Sequence, residues 1–372
     1  MSGPTGTSLR VHDRLAALDV LRFVAAFSVL AFHYLFRGSA APAVLDVGYP
    51  EVASLALYGY LGVNLFFMIS GFVIAWSAEG RGAVTFAVLR FARLYPAFVV
   101  CMSLSFVVAA VASDARFPVS ATQWIANLFI FAPAAGQSFV DGVYWSIVLE
   151  LIFYGWMTLV IATGLFKTRF LALVAGWLLL SACNEFVLDS GALRVLLVTE
   201  YSGWFAVGIL VHRLRSAGLS ANAVVLLVAA MVLATATSFR TRDWMMDHYG
   251  VALADAQLIV AVLGAFIIFL ATVRFGSALR PSSLLLAVGG VTYPLYLLHQ
   301  NIGYITLNCL SPYLGRWSAV LVVTTAIVAL SYAVFRWVEV PARRWLVRTL
   351  VRDPLTAAGN SDKATGNQAV SA

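Results

Sequence analysis

The feature that most constrains this chain is a succession of apolar runs long enough to cross a bilayer. A membrane-spanning helix needs about 20 mostly apolar residues. Runs of that kind fall at roughly 16–36, 56–76, 94–112, 143–163, 170–188, 197–212, 221–238, 254–273, 284–306 and 317–337. Hydrophobic residues make up 62% of the chain and charged residues 11%, which leaves too little polar surface to cover a water-soluble domain and excludes a disordered chain or a coiled coil. The expected fold is an all-α membrane protein, a bundle of about ten transmembrane helices with both termini cytoplasmic. Residues 1–15 read as a cytoplasmic N-terminal segment, 16–345 as the transmembrane domain, and 346–372 as a cytoplasmic, disordered tail that is rich in Ala, Ser, Asn and Gly from Asp353 onward. The apolar stretch Trp124–Pro133 is too short to cross and reads as interfacial or re-entrant. Val24–Phe32 and the small residues after it imitate a cleaved leader, but Asp19 and Arg22 interrupt its core, so it reads as an uncleaved first helix.

Charge sets the expected sidedness. With the N-terminus inside, most of the 24 Lys and Arg residues fall on cytoplasmic segments, leaving Arg37, Arg116, Arg194, Arg240, Arg242 and Arg316 outside. That is the positive-inside bias, and a different number of crossings scrambles it. The net charge of +7 is thus accounted for by topology, with no nucleic-acid partner. Cys101, Cys183 and Cys309 are too few and too scattered for a disulfide framework or a metal site.

Ionisable side chains inside a membrane are costly and mark functional sites by default. Here they are Asp19, Arg22 and His33 on the first span, Glu150 on the fourth and His299 on the ninth. Arg22 and His33 are eleven residues apart, three turns plus about 20°, so they share a helix face about 16 Å apart along the axis. Asp19 is placed to pair with Arg22. Ser146, Glu150 and Tyr154 form a polar stripe at i, i+4, i+8, and counting inward from residue 143 puts Glu150 near the level of His33, about 10 Å deep. His299 reads equally well as a core histidine bonded to a neighbouring helix. Asn64 lies in a small-residue stretch whose first explanation is close helix packing. Arg90 and Arg93, one turn apart on a cytoplasmic segment, have the spacing to grip phosphate oxygens, although any cytoplasmic loop collects arginines. Cations at one end and a His/Glu pair at the other fit a phosphate-bearing donor entering from inside and an acceptor from outside. An ion-coupled transporter or flippase fits the same charges.

Several motifs, taken in order, resemble the integral-membrane acyltransferase-3 family over about residues 14–345. They are Arg14–Phe23 (RLAALDVLRF) with ten residues between Arg22 and His33, Gly62–Phe72 (GVNLFFMISGF), Arg90–Pro96 (RFARLYP), Tyr144–Glu150 (YWSIVLE), Thr292–His299 (TYPLYLLH) and Arg336–Pro341 (RWVEVP). The resemblance implies a ten-helix O-acyltransferase of the bacterial cytoplasmic membrane. Its donor would be acetyl-CoA or another acyl-CoA, with no metal. Its acceptor would be a hydroxyl of a saccharide, a lipid-linked glycan or a small natural product. It further implies His33 as catalytic histidine and Arg22, Arg90 and Arg93 as functional arginines, with Glu150 the buried acid of the Trp-Ser motif. As general base, neutral His33 would activate the acceptor hydroxyl, with Glu150 orienting the imidazole or stabilising its charged form; an acyl-histidine relay remains an open variant. Asp19, Asn64, Trp145, Ser146, Tyr296 and His299 are the expected pocket residues.

Overall fold

The computed structural model describes residues 16–280 and 282–351. Among these residues there is no strand; the chain is a bundle of helices joined by short 3-10 and π turns. In order these are α1 (Ala16–Phe32), α2 (Pro50–Ala56), α3 (Leu61–Ala78), α4 (Ala83–Ala112), α5 (Ala121–Leu128) and α6 (Trp145–Ala162). Then come α7 (Leu165–Thr168), α8 (Phe170–Cys183), α9 (Gly191–Leu196), α10 (Ser202–Ala217) and α11 (Ala221–Tyr249). The last are α12 (Asp255–Phe275), α13 (Ser283–Leu298), α14 (Gln300–Leu314), α15 (Arg316–Val334) and α16 (Val340–Leu350).

Eight helical segments among the described residues are long and apolar enough to cross a membrane. The remaining two of the expected ten correspond to shorter helices, α10 and α13. The protein is an integral membrane protein of the expected all-α class. The N-terminal segment 1–15, residues 352–372 and the expected location of both termini lie outside the described residues. Residues 346–350 belong to α16, so the helix continues past the expected tail boundary.

Helices outrun hydropathy at several boundaries. α4 starts at Ala83, so Arg90 and Arg93 stand on a helix rather than in a loop before one. α11 runs to Tyr249, because its polar end from Arg240 onward contains no breaker until Gly250, which caps it with φ of 65°. The expected ninth span continues as α13 and α14, interrupted only at His299. The 121–141 region holds the short α5 and a 3-10 turn and does not cross.

Close approach of backbones holds the centre together. In α10 every residue from Ser202 to His212 is buried. It lies against α3, where a Cβ on Gly208 would stand 1.9 Å from the Met68 carbonyl oxygen and one on Gly71 2.1 Å from that of Phe205. α1 is wedged between α3 and α13 by the same device: a Cβ on Gly62 would meet the Ala25 oxygen at 2.4 Å, and one on Gly289 the Asp19 Cβ at 2.6 Å. Small residues at helix contacts are how membrane bundles gain dispersion contact without a hydrophobic driving force. α1 therefore turns Asp19 inward and leaves Val24 and Phe27 exposed on its outer face.

A polar lock joins the loops at the His33 end. Arg116 pairs with Asp46 at 2.7 Å and with Asp114, and donates to the Val44 carbonyl. Asn308 ties the same loop to α14, donating to Val44 and accepting from the Asp46 backbone. Hydrogen bonds from Arg116 hold the Asp114 carboxyl below its ordinary value of 3.8. Its contribution is therefore complete above that value and is lost as pH falls through the lowered one. The protection factor of the Phe117 amide, bonded to the Asp114 carbonyl, should stay level from neutral pH to about 5 and drop in stronger acid. Arg116→Ala should remove that acid step; because exposed pairs are worth at most about 1 kcal/mol, the bundle itself should not unfold.

Candidate active site

Two cavities meet inside the bundle. The inner one, open-mouthed and of about 70 Å³, is lined by Arg22, Arg90, Arg93, Ser70, Ser146, Glu150, Tyr154, Tyr293 and Tyr296, with apolar walls from α3 and α4. The outer one, of about 1330 Å³, takes in His33, Asn64, Trp145, Tyr201, Gln300 and Tyr296, with a charged wall from α9, α11 and the π turn after α8. Val63 and Tyr296 border both cavities, so they form the partition.

The inner cavity gathers the three arginines from two helices. Arg22 comes from α1 and pairs with the buried Asp19 at 3.4 Å; Asp19 itself lines neither cavity. Arg90 and Arg93 come from α4, where one helical turn puts both on the inward face. Arg90 Nε is buried without a hydrogen-bond partner among the described residues. Arg93 lies within electrostatic reach of Tyr154, Glu339, Glu150 and Asp19. A planar guanidinium with unspent donors matches phosphate oxygens, where charge-assisted bonds are strongest.

Glu150 belongs to this cavity and not to His33. Its carboxylate accepts from Ser70 Oγ at 2.9 Å and from the Tyr154 hydroxyl, and it makes no hydrogen bond with His33. The expected pairing fails because the depth count took residue 143 as the membrane edge. In the structure Val140, Asp141, Val143 and Tyr144 are already buried, so the chain has entered the protein before α6 begins, and Glu150 lines the arginine cavity. Asp141 fixes that start, accepting from the Val143 amide and, at 2.9 Å, from the Asn301 amide of α14.

Ser146 and Tyr296 make the partition rigid: their hydroxyls are 2.7 Å apart, one donating to the other, and both oxygens lie within hydrogen-bond distance of the Val143 carbonyl. On the outer side, His33 opens the π turn His33–Arg37 that follows α1. The α-helical register is unbroken up to that point, so Arg22 and His33 do share the inward face. Trp145 leans on Phe67 and Tyr201, and Asn64 is buried in the wall. His299 is fully buried behind His33 and lines neither cavity.

A family model described as an acyltransferase domain matches residues 15–336. The chain belongs to the acyltransferase-3 family. Acyltransferase MdmB of Streptomyces mycarofaciens is similar to it, 35% identical over 96 residues, which is 26% of this chain and 24% of that protein. The chain thus aligns with about a quarter of that relative's length. No solved structure matches it. In this acyltransferase-3 protein, sequence reasoning missed Ser70 and Tyr293, which complete the inner cavity, and Tyr304, which touches His33. Ser70 had a signal in its small-residue motif; Tyr304, in an unremarkable apolar run, had none. Also missed was the charged outer wall, where buried Glu185 accepts from Asn184, Thr199 and Arg194 and pairs with Arg240. It was hidden because the sequence placed those arginines in separate outer loops.

Proposed function

We propose that this protein is a membrane-bound O-acyltransferase that moves an acetyl or other acyl group from acyl-CoA to a hydroxyl of an acceptor held in the outer cavity. The observation that carries the reading is the meeting of an arginine-lined cavity and a histidine-bearing cavity at one partition, Val63 and Tyr296, in a chain of this family. The arginine end is the cytoplasmic one, which the positive-inside charge distribution supports. CoA phosphates bind Arg90 and Arg93, with Arg22 deeper, and the thioester is aimed at the partition. The acceptor is a saccharide, a lipid-linked glycan or a small natural product; the outer cavity's volume suits any of the three.

In the reaction, the His33 imidazole takes the proton of the acceptor hydroxyl as its oxygen attacks the thioester carbonyl. The C–S bond then breaks, and the CoA thiolate leaves and receives that proton. The arginines supply positioning and no chemistry. Glu150, satisfied by Ser70 and Tyr154, offsets the arginine charge and keeps the cavity from being purely cationic.

Purified protein in detergent should release free CoA thiol from acyl-CoA in the presence of an acceptor hydroxyl. A protein that binds and carries such molecules without releasing thiol would contradict the reading. Arg93→Ala should raise the KM for acyl-CoA roughly tenfold or more with a smaller change in kcat, since one hydrogen bond to a charged group is worth about 1.5–3 kcal/mol. Titration with a range of donor concentrations separates the two constants.

A further inference from the structure

His33 receives no hydrogen bond from the acid of the inner cavity, so its orientation comes from other groups. Its Nδ1 is 2.9 Å from the hydroxyl of Tyr304, which is almost completely buried. Its ring centroid lies 5.0 Å from that of His299. His299 is 0% exposed, and its Nδ1 faces two carbonyl oxygens, those of Tyr296 at 2.9 Å and Leu295 at 3.2 Å. A carbonyl can only accept, so Nδ1 carries the His299 proton and Nε2 is left as a lone pair. That Nε2 is buried with no hydrogen-bond partner among the described residues. A buried unpaired acceptor in a native fold calls for an explanation.

The surroundings hold this arrangement in place. The Tyr34 hydroxyl donates to the His299 carbonyl oxygen at 2.7 Å. Gly303, one turn on, leaves the room Tyr34 needs: a Cβ there would stand 2.1 Å from that hydroxyl. Asp141 caps the Asn301 amide beside it. The helix interruption at His299 is thus clamped from three directions.

We propose that Tyr304 and His299 are positioning residues for His33, a tyrosine and a second histidine taking the place that the sequence assigned to Glu150. His33 Nδ1 and the Tyr304 hydroxyl share this hydrogen bond; with Nδ1–H as the donor, the lone pair lies on Nε2, the nitrogen left for the acceptor hydroxyl. With the opposite donor, Nε2 would hold the proton and could not act as a base. The His299 lone pair stabilises the positive charge that His33 gains on taking the acceptor's proton and loses on passing it to the departing thiolate. This rests on the transferase reading above.

The test is steady-state kinetics on purified full-length variants with acyl-CoA and acceptor. Tyr304→Phe removes one oxygen and should lower kcat by roughly 10- to 100-fold, less than loss of the base itself, while the KM for acyl-CoA stays within about twofold because the arginines sit in the other cavity. His299→Leu should act in the same direction, and His299→Gln, whose amide offers a donor at one end and an acceptor at the other, should recover part of the loss. Wild-type kcat in Tyr304→Phe overturns the proposal, as does a defect carried by the donor KM alone. If Tyr304→Phe does not fold, equal activity in His299→Leu and His299→Gln overturns the His299 role. The underlying reading fails separately: turnover surviving His33→Ala contradicts it, whereas an inactive His33→Ala beside a normal Tyr304→Phe contradicts only the positioning role.

Discussion

His33→Ala should lower acyl transfer by about 10²- to 10⁴-fold, the range a general base contributes. Acyl-CoA affinity should be nearly unchanged. The two expectations separate because His33 and the arginines occupy different cavities. The substitution leaves the Tyr304 hydroxyl without its partner, so some stability is lost as well, on the order of 1–3 kcal/mol for a buried polar group left unpaired. A melting curve beside the turnover assay distinguishes the two losses: the protein should still melt cooperatively while transfer is nearly abolished. Turnover within a few-fold of wild type would remove His33 from the chemistry.

The second large effect is structural. Gly208→Ala should destabilise the bundle by more than about 3 kcal/mol, beyond the usual range for overpacking, because the added carbon meets main chain. Its Cβ would lie 1.9 Å from the Met68 carbonyl oxygen and 2.7 Å from the Phe72 amide nitrogen. Neither can swing aside as a side chain does, so α3 and α10 must separate and Val63, the partition residue on α3, moves with its helix. Gly155→Ala is the matched control. Nothing lies within 4 Å of its Cβ position, and in an exposed helix interior alanine is favoured over glycine by roughly 1 kcal/mol. The melting temperature in detergent should therefore fall sharply for one substitution and hold or rise slightly for the other. Equal melting temperatures would show that α3 and α10 do not pack as described.

What could be read from the chain follows from which physical rule governs each feature. The apolar runs name the spans because lipid forces backbone groups into helices, and Gly62 and Gly71 marked close packing that the structure places against α1 and α10. The shared face of Arg22 and His33 was legible because α1 stays α-helical until His33. Depth was not legible. Hydropathy marks where a lipid face ends and says nothing of where a helix ends or begins within the protein. That is why Arg90 and Arg93 moved from a loop onto α4, and why Glu150 moved from the His33 level into the arginine cavity. Contacts across the bundle were equally hidden: no spacing rule links His33 to Tyr304, 271 residues later.

On the proposed function, donor and acceptor enter from opposite ends and meet at the partition of Val63 and Tyr296. The most direct measurement is a cryo-EM structure of the protein with a non-hydrolysable thioether analogue of acyl-CoA. Phosphate density against Arg90 and Arg93, with the acyl end passing Tyr296 toward His33, is the expected result. Phosphates seated beside His33 in the outer cavity, or an acyl end directed away from the partition, would contradict it.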